Sequence, residues 1–97
     1  HLGTVHAIAQ CNLAEYVMGA LAEATVPSTH RWIPRGITAI YNAKATGRLR
    51  ATATVVLPTE LDDKQELPVS VRIVDRHEVE VATITIPIWV TVKPPRA

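Results

Sequence analysis

Residues 4–24, TVHAIAQCNLAEYVMGALAEA, decide the fold. The run contains no Pro and is dominated by Ala, Leu, Glu, Gln and Met, so it predicts a helix. Thr4 is placed to act as its N-cap. Val5, Ile8, Ala9, Leu13, Tyr16, Val17, Ala20, Leu21 and Ala24 recur at helical spacing. Ala7, Ala14, Met18 and Ala22 fill most of the other face as well. A helix that is apolar nearly all round must be buried on several sides. A surface helix lying on one face of a sheet would carry many more charges.

Downstream, Pro27 ends the helix and residues 28–34 read as a connector, because Pro34 disfavours helix just before it. Strands then take over. Ile37, Ala39, Tyr41 and Ala43 alternate with Thr38, Ile40, Asn42 and Lys44, which predicts a strand over about 36–45. A Thr46-Gly47 turn follows. Leu49, Ala51, Ala53, Val55 and Leu57 form the inward set of a strand over about 47–57. The stretch 58–66, with Glu60, Asp62, Asp63 and Glu66, reads as a solvated loop. Leu67, Val69, Val71 and Ile73 face inward in a third strand over about 67–76, and residues 75–78 form a hairpin turn. The last strand covers about 79–92, and Pro87 within it implies an edge position or a bulge. Short links imply antiparallel neighbours. The expected architecture is α+β: a single domain over 1–97, with a central helix wrapped by a curved antiparallel sheet.

Composition excludes several function classes. The formal net charge is +1, so there is no basic footprint for nucleic acid. Aromatic residues make up only 4% and include no Phe, which leaves no base-stacking platform and a core built from Val, Ile, Leu and Ala. The lone Cys11 cannot form an intrachain disulfide, which fits a reducing, cytoplasmic setting. No apolar run reaches the ~18–20 residues needed to span a bilayer. His30 and His77 fall in loops without a second ligand at metal spacing, so no metal site and no cofactor are expected.

The opening run His1-Leu2-Gly3-Thr4-Val5-His6-Ala7-Ile8-Ala9 resembles the helix-start motif of the PaaI-like hotdog-fold acyl-CoA thioesterases. In that motif a Gly-Thr-x-His run is followed by small residues, and an Asp or Glu comes nine residues after the His. Here His6 is followed at that distance by Glu15. Arg35-Gly36-Ile37-Thr38, Lys44-Ala45-Thr46-Gly47 and Ala51-Thr52-Ala53 also look like the family, so the resemblance spans nearly the whole chain. It implies the hotdog fold, with the family's first strand, short helix and motif Asn expected upstream of His1. One departure stands out: Ala7-Ile8 occupies the place where the enzymes usually carry Gly-Gly.

Thioester hydrolysis needs donors aimed at the developing oxyanion, a carboxylate to attack or to activate water, and a channel for the acyl chain. A helix start supplies donors, since its leading N–H groups lack intrahelical partners and its dipole favours negative charge. By the resemblance, the Ala7 N–H would serve the oxyanion and Glu15 would be the carboxylate. Burial in its apolar run should raise the Glu15 pKa. The candidates are therefore Glu15, Ala7 and His6 for catalysis, and His1, Gly3, Asn12, Thr38, Arg48 and Arg50 for binding substrate. Lys44, Arg48 and Arg50 surround one turn and could meet the phosphates of coenzyme A. Each has a plainer reading: Glu15 as a structural carboxylate, His6 as an anchor of the entry loop, Thr38 as an ordinary strand residue, the basic group as solvated charge, and Cys11 as a buried inert thiol.

His6 and Glu15 lie about 180° apart around one helix at ~100° per residue, so they cannot share a site within one chain. They can if two helices pair across a two-fold axis, which predicts a homodimer or a dimer of dimers. Three functions follow in order. The first is an acyl-CoA thioesterase; the second is a non-catalytic hotdog module that binds acyl-CoA or a fatty acyl ligand. A hotdog dehydratase ranks last, because its His-Phe-Pro-Gly run is absent. Acyl-chain preference is not legible.

Overall fold

A computed structural model of the protein describes residues 2–45 and 47–94, with side chains from Ala7 onward. One helix, α1 (Leu2–Thr25), precedes five strands: β1 (His30–Pro34), β2 (Thr38–Tyr41), β3 (Leu49–Thr54), β4 (Gln65–Asp75) and β5 (Glu80–Val92). All neighbours are antiparallel, in the order β1-β5-β4-β3, with β2 also paired to β5. The helix packs on one face of this curled sheet, which is the hotdog arrangement.

Period-two alternation builds the inner face. Leu67, Val69, Val71 and Ile73 of β4 and Ile84, Ile86, Ile88 and Val90 of β5 are buried, while Glu66, Ser70 and Arg72 are exposed. A bulge shifts the register between Ile73↔Ala82 and Val74↔Glu80. It leaves Val81 as an extra residue and lets both Val81 and Ala82 be buried.

The stripe of α1 that meets the sheet differs from the expected one. Gln10, Ala14, Met18 and Ala22 are buried, whereas Ile8 and Tyr16 are exposed, at 57% and 77%. Periodicity could not choose, because both faces are apolar. Close approach to the sheet chooses small Ala14 and Ala22, with Met18 between them. The single chain therefore buries α1 on one side rather than several. The helix also begins at Leu2, ahead of the expected Thr4 cap.

The connector over 28–34 is in fact largely strand. Trp32 and Ile33 of β1 pair with Val90 and Trp89, and Lys93 N–H donates to the Thr29 carbonyl at 2.9 Å. Flanking Pro27 and Pro34 disguised these β-favouring residues as a loop. Nor is Pro87 at an edge, since β5 is central. The Pro87 carbonyl accepts from Arg35 N–H at 2.8 Å, so its ring nitrogen faces the same side, towards the break between β1 and β2. The register there passes from Pro34↔Ile88 to Thr38↔Thr85, one residue longer on the edge side. The missing donor of Pro87 thus falls where the edge strand is interrupted. Pro68, opposite it, points its nitrogen towards the side that β3 has already left at Thr54.

β2 and β3 are not neighbours, although a short link joins them; they lie at opposite edges. Asn42 and Ala43 N–H both donate to the Val81 carbonyl, and Ala45 is buried in the core. Residues 42–45 thus start across the end of the sheet, and seven residues, 42–48, separate β2 from β3. Three inter-strand spacings of ~4.8 Å make ~14 Å, well within reach of that many residues. The expected Thr46 of this turn lies outside the described residues, and Gly47 adopts a left-handed φ of 68°.

The hairpin over 75–78 forms as expected. Asp75 Oδ1 accepts from the N–H groups of Val79 (3.1 Å) and His77 (2.8 Å). The Val79 bond first, and then the His77 bond and nearby cations, lower the Asp75 pKa. The Arg72 guanidinium, 2.7 Å from Glu80, likewise holds that carboxyl low. A depressed folded pKa gives stability that is present above the ordinary carboxylate value and lost as pH falls through the folded one. Thermal melts should therefore show falling stability on acidification below the ordinary carboxylate range. Asp75→Asn should flatten part of that decline; an unchanged profile would show that the turn does not couple to folding.

Candidate functional site

The outward ridge of α1 carries Ile8, Asn12, Glu15 and Tyr16, three or four residues apart and all exposed. Glu15 and Asn12 therefore share a face, as their spacing predicts. The single chain does not supply the burial expected around Glu15. The ion pairs among the described residues, Arg50–Glu78 and Arg72–Glu80, also leave Glu15 out.

One flank of the ridge is anchored to β2. The Tyr41 hydroxyl donates to the Ala7 carbonyl at 3.3 Å and lies 3.3 Å from Cys11 Sγ. The bond with Cys11, then burial, raises the Tyr41 pKa, so the phenol stays protonated and keeps donating. Sequence periodicity placed Tyr41 on the inward side of its strand but gave no sign that it clamps the helix. Farther along α1, Glu23 Oε1 accepts from Trp32 Nε1 at 3.1 Å, and the Trp32 ring lies 3.8 Å from where a Cβ on Gly19 would be. The half-buried Cys11 is thus tied to a named partner. Gln10, on the buried stripe, is a polar group that the apolar pattern had hidden.

Ala7 is the sixth residue of α1, so its N–H falls beyond the four donors that a helix start leaves unpaired. Gly3 and His6 lie in the opening turns of α1, and the His6 side chain and His1 lie outside the described residues. Thr38 is not brought to this site. Ala39 is its inward neighbour, paired with buried Ile84, so Thr38 and its partner Thr85 face away from α1.

Arg48 and Arg50 sit at the opposite sheet edge, at the start of β3. They line a surface groove of about 370 Å³ with Leu49, Asp75, Arg76 and Glu78. Lys44 is exposed and is not among the groove residues. Sequence reading had the first two arginines; Arg76 and Glu78 emerge only once β3 and β4 are paired, Leu49 opposite Asp75. Among the described residues no group of three His, Cys, Asp or Glu side chains could hold a metal ion, and no helix is long and apolar enough to cross a membrane.

The backbone is similar to that of the BH2602 protein from Bacillus halodurans, whose crystal structure was determined with CoA. The TM-score is 0.73 at 21% identity, over 88% of this chain and 54% of that one. This chain thus spans about half the length of that protein, and at such identity the likeness speaks for the fold alone. No curated protein matches the sequence. The model of the domain of unknown function DUF4442 matches residues 1–90, and the chain belongs to that family.

Proposed function

We propose that this protein binds an acyl-CoA thioester against the outward ridge of α1, in a cleft completed by a second copy, and hydrolyses it with Glu15. The observation that carries this reading is the ridge itself: a carboxylate and an amide, Glu15 and Asn12, set between exposed Ile8 and Tyr16. The shape supports a partner copy. The radius of gyration is 15.1 Å, against ~12.5 Å for a compact chain of this length. CoA in the BH2602 structure supports the ligand class, and a cytoplasmic setting goes with it. A second helix laid on the ridge would remove water from Glu15 and so raise the basicity of its carboxylate.

In this scheme Glu15 takes a proton from water as the oxygen attacks the thioester carbonyl. The C–S bond then breaks, the CoA thiolate leaves and is protonated, and the free acid is released. Thiol release from a panel of aryl, short-chain and long-chain acyl-CoAs tests it. Turnover of any class supports the hydrolase; neither turnover nor acyl-CoA binding would refute it.

One observation favours a second reading, a non-catalytic acyl-CoA-binding module. The Ala7 N–H is inside the helical ladder, and Ile8 stands exposed beside it where a small residue would admit a carbonyl. Ile8→Gly separates the two. Gain of turnover identifies a site obstructed by the side chain; binding without turnover in both proteins supports the module. Helix propensity costs this variant about 1 kcal/mol, so it should remain folded.

A further inference from the structure

The rim groove between β3 and β4 lies at the end of the sheet where α1 begins. Tyr41, which touches Ala7 and Cys11, is in one cross-strand row with Ala82, Ile73 and Ala51. Leu49 and Asp75 are two residues beyond that row, ~7 Å farther along the strands. Three guanidinium groups, of Arg48, Arg50 and Arg76, line this groove against the carboxylates of Asp75 and Glu78.

The two carboxylates are already engaged. Asp75 Oδ1 accepts two backbone N–H groups of the hairpin, and Glu78 pairs with Arg50 at 2.8 Å. Arg76 Nε donates to His77 Nε2 at 3.3 Å, which leaves its terminal nitrogens for another acceptor. Planar guanidinium forks of this kind suit phosphate oxygens, which they bind through paired, charge-assisted hydrogen bonds. A thioester carried on CoA brings several phosphates together on its nucleotide half, remote from the reacting carbon.

We propose that Arg48 and Arg76, with Arg50 behind its Glu78 clasp, form the site that takes the phosphates of the CoA nucleotide. This rests on the acyl-CoA reading above for its ligand, but not on hydrolysis by Glu15. Glu78 tempers the site: its carboxylate occupies one of the three cations and repels the incoming anion.

Calorimetric titration with three probes, coenzyme A, adenosine 3′,5′-bisphosphate and pantetheine, tests the assignment. Coenzyme A and the bisphosphate should bind, with affinity falling as salt rises. Arg48→Ala and Arg76→Ala should each weaken both by roughly tenfold, the loss of one charge-assisted contact. They should leave pantetheine unaffected. Glu78→Gln, which frees Arg50, should tighten both severalfold, a gain that a misfolded variant cannot imitate. Coenzyme A affinity unchanged in Arg48→Ala, Arg76→Ala and Glu78→Gln alike would overturn the proposal. If the bisphosphate binds through these arginines but no acyl-CoA is turned over, the groove stands and hydrolysis by Glu15 falls. If neither phosphate-bearing probe binds, the groove assignment falls with the acyl-CoA reading.

Discussion

Glu15→Gln is expected to lower thiol release from the best acyl-CoA substrate by about a hundredfold or more, the scale of a lost general base. The amide keeps the shape of the side chain but cannot take a proton from water at neutral pH. The fold should be indifferent, because Glu15 is exposed and outside both ion pairs of the described residues. Surface substitutions of that kind usually stay within about 0.5 kcal/mol. Substrate affinity should also survive, since the change falls on kcat rather than on binding. Glu15→Asp should recover part of the rate. Turnover in Glu15→Gln equal to wild type would remove this carboxylate from the mechanism, whatever else the ridge binds.

The second large effect is on stability. Ile84 is wholly buried near the middle of β5, paired with Val71 on one side and Ala39 on the other. Ile84→Ala removes buried methyl and methylene groups and leaves a cavity between layers that cannot close freely. The expected loss is about 2–5 kcal/mol, from a total that for a domain of this size is about 5–15 kcal/mol. Urea denaturation should show the midpoint falling with little change in slope. Val56→Ala is the matched control: Val56 is 89% exposed, so its midpoint should hardly move. A loss in Ile84→Ala no larger than in Val56→Ala would mean that the β5 core is not the main support of the sheet.

The inward set of β4, and that of β3 as far as Val55, were legible because polar partners alternate with them; β3 ends at Thr54 rather than near 57, and Leu57, expected inward, is exposed. Leu49, Ala51 and Ala53 are half-buried against the helix, and Leu67, Val69, Val71 and Ile73 are buried. The existence of α1 was equally plain, but its facing was not. Apolar residues on every side carry no directional information, and only the contact with the sheet distinguishes Ala14 and Met18 from Ile8 and Tyr16. β1 was hidden because its two prolines speak locally while its pairing with β5 is long-range. The same holds for sheet order: the shortness of a link says who is near in sequence, whereas Asn42, Ala43 and Ala45 show the link travelling across the sheet end. At the site, spacing alone put Asn12 beside Glu15. It could not place Thr38 on the far face, nor bring Arg76 and Glu78 to Arg48, since both depend on strand register.

Among the five described strands, the central one comes last in chain order. β5 holds β4 on one side and both β1 and β2 on the other, with His30 meeting Val92. Until residues 80–92 leave the ribosome, β1 and β2 lack the strand that they both pair with among the described residues. Such distant pairing slows folding, because the chain must close long loops before any contact rewards it. A nascent chain stopped ahead of β5 would expose Trp32, Ala39 and the inner face of β4 together, a combination that invites chaperone capture. Quality control can therefore read closure of this sheet from one segment: without β5, the β1–β2 side and the β4–β3 side do not meet.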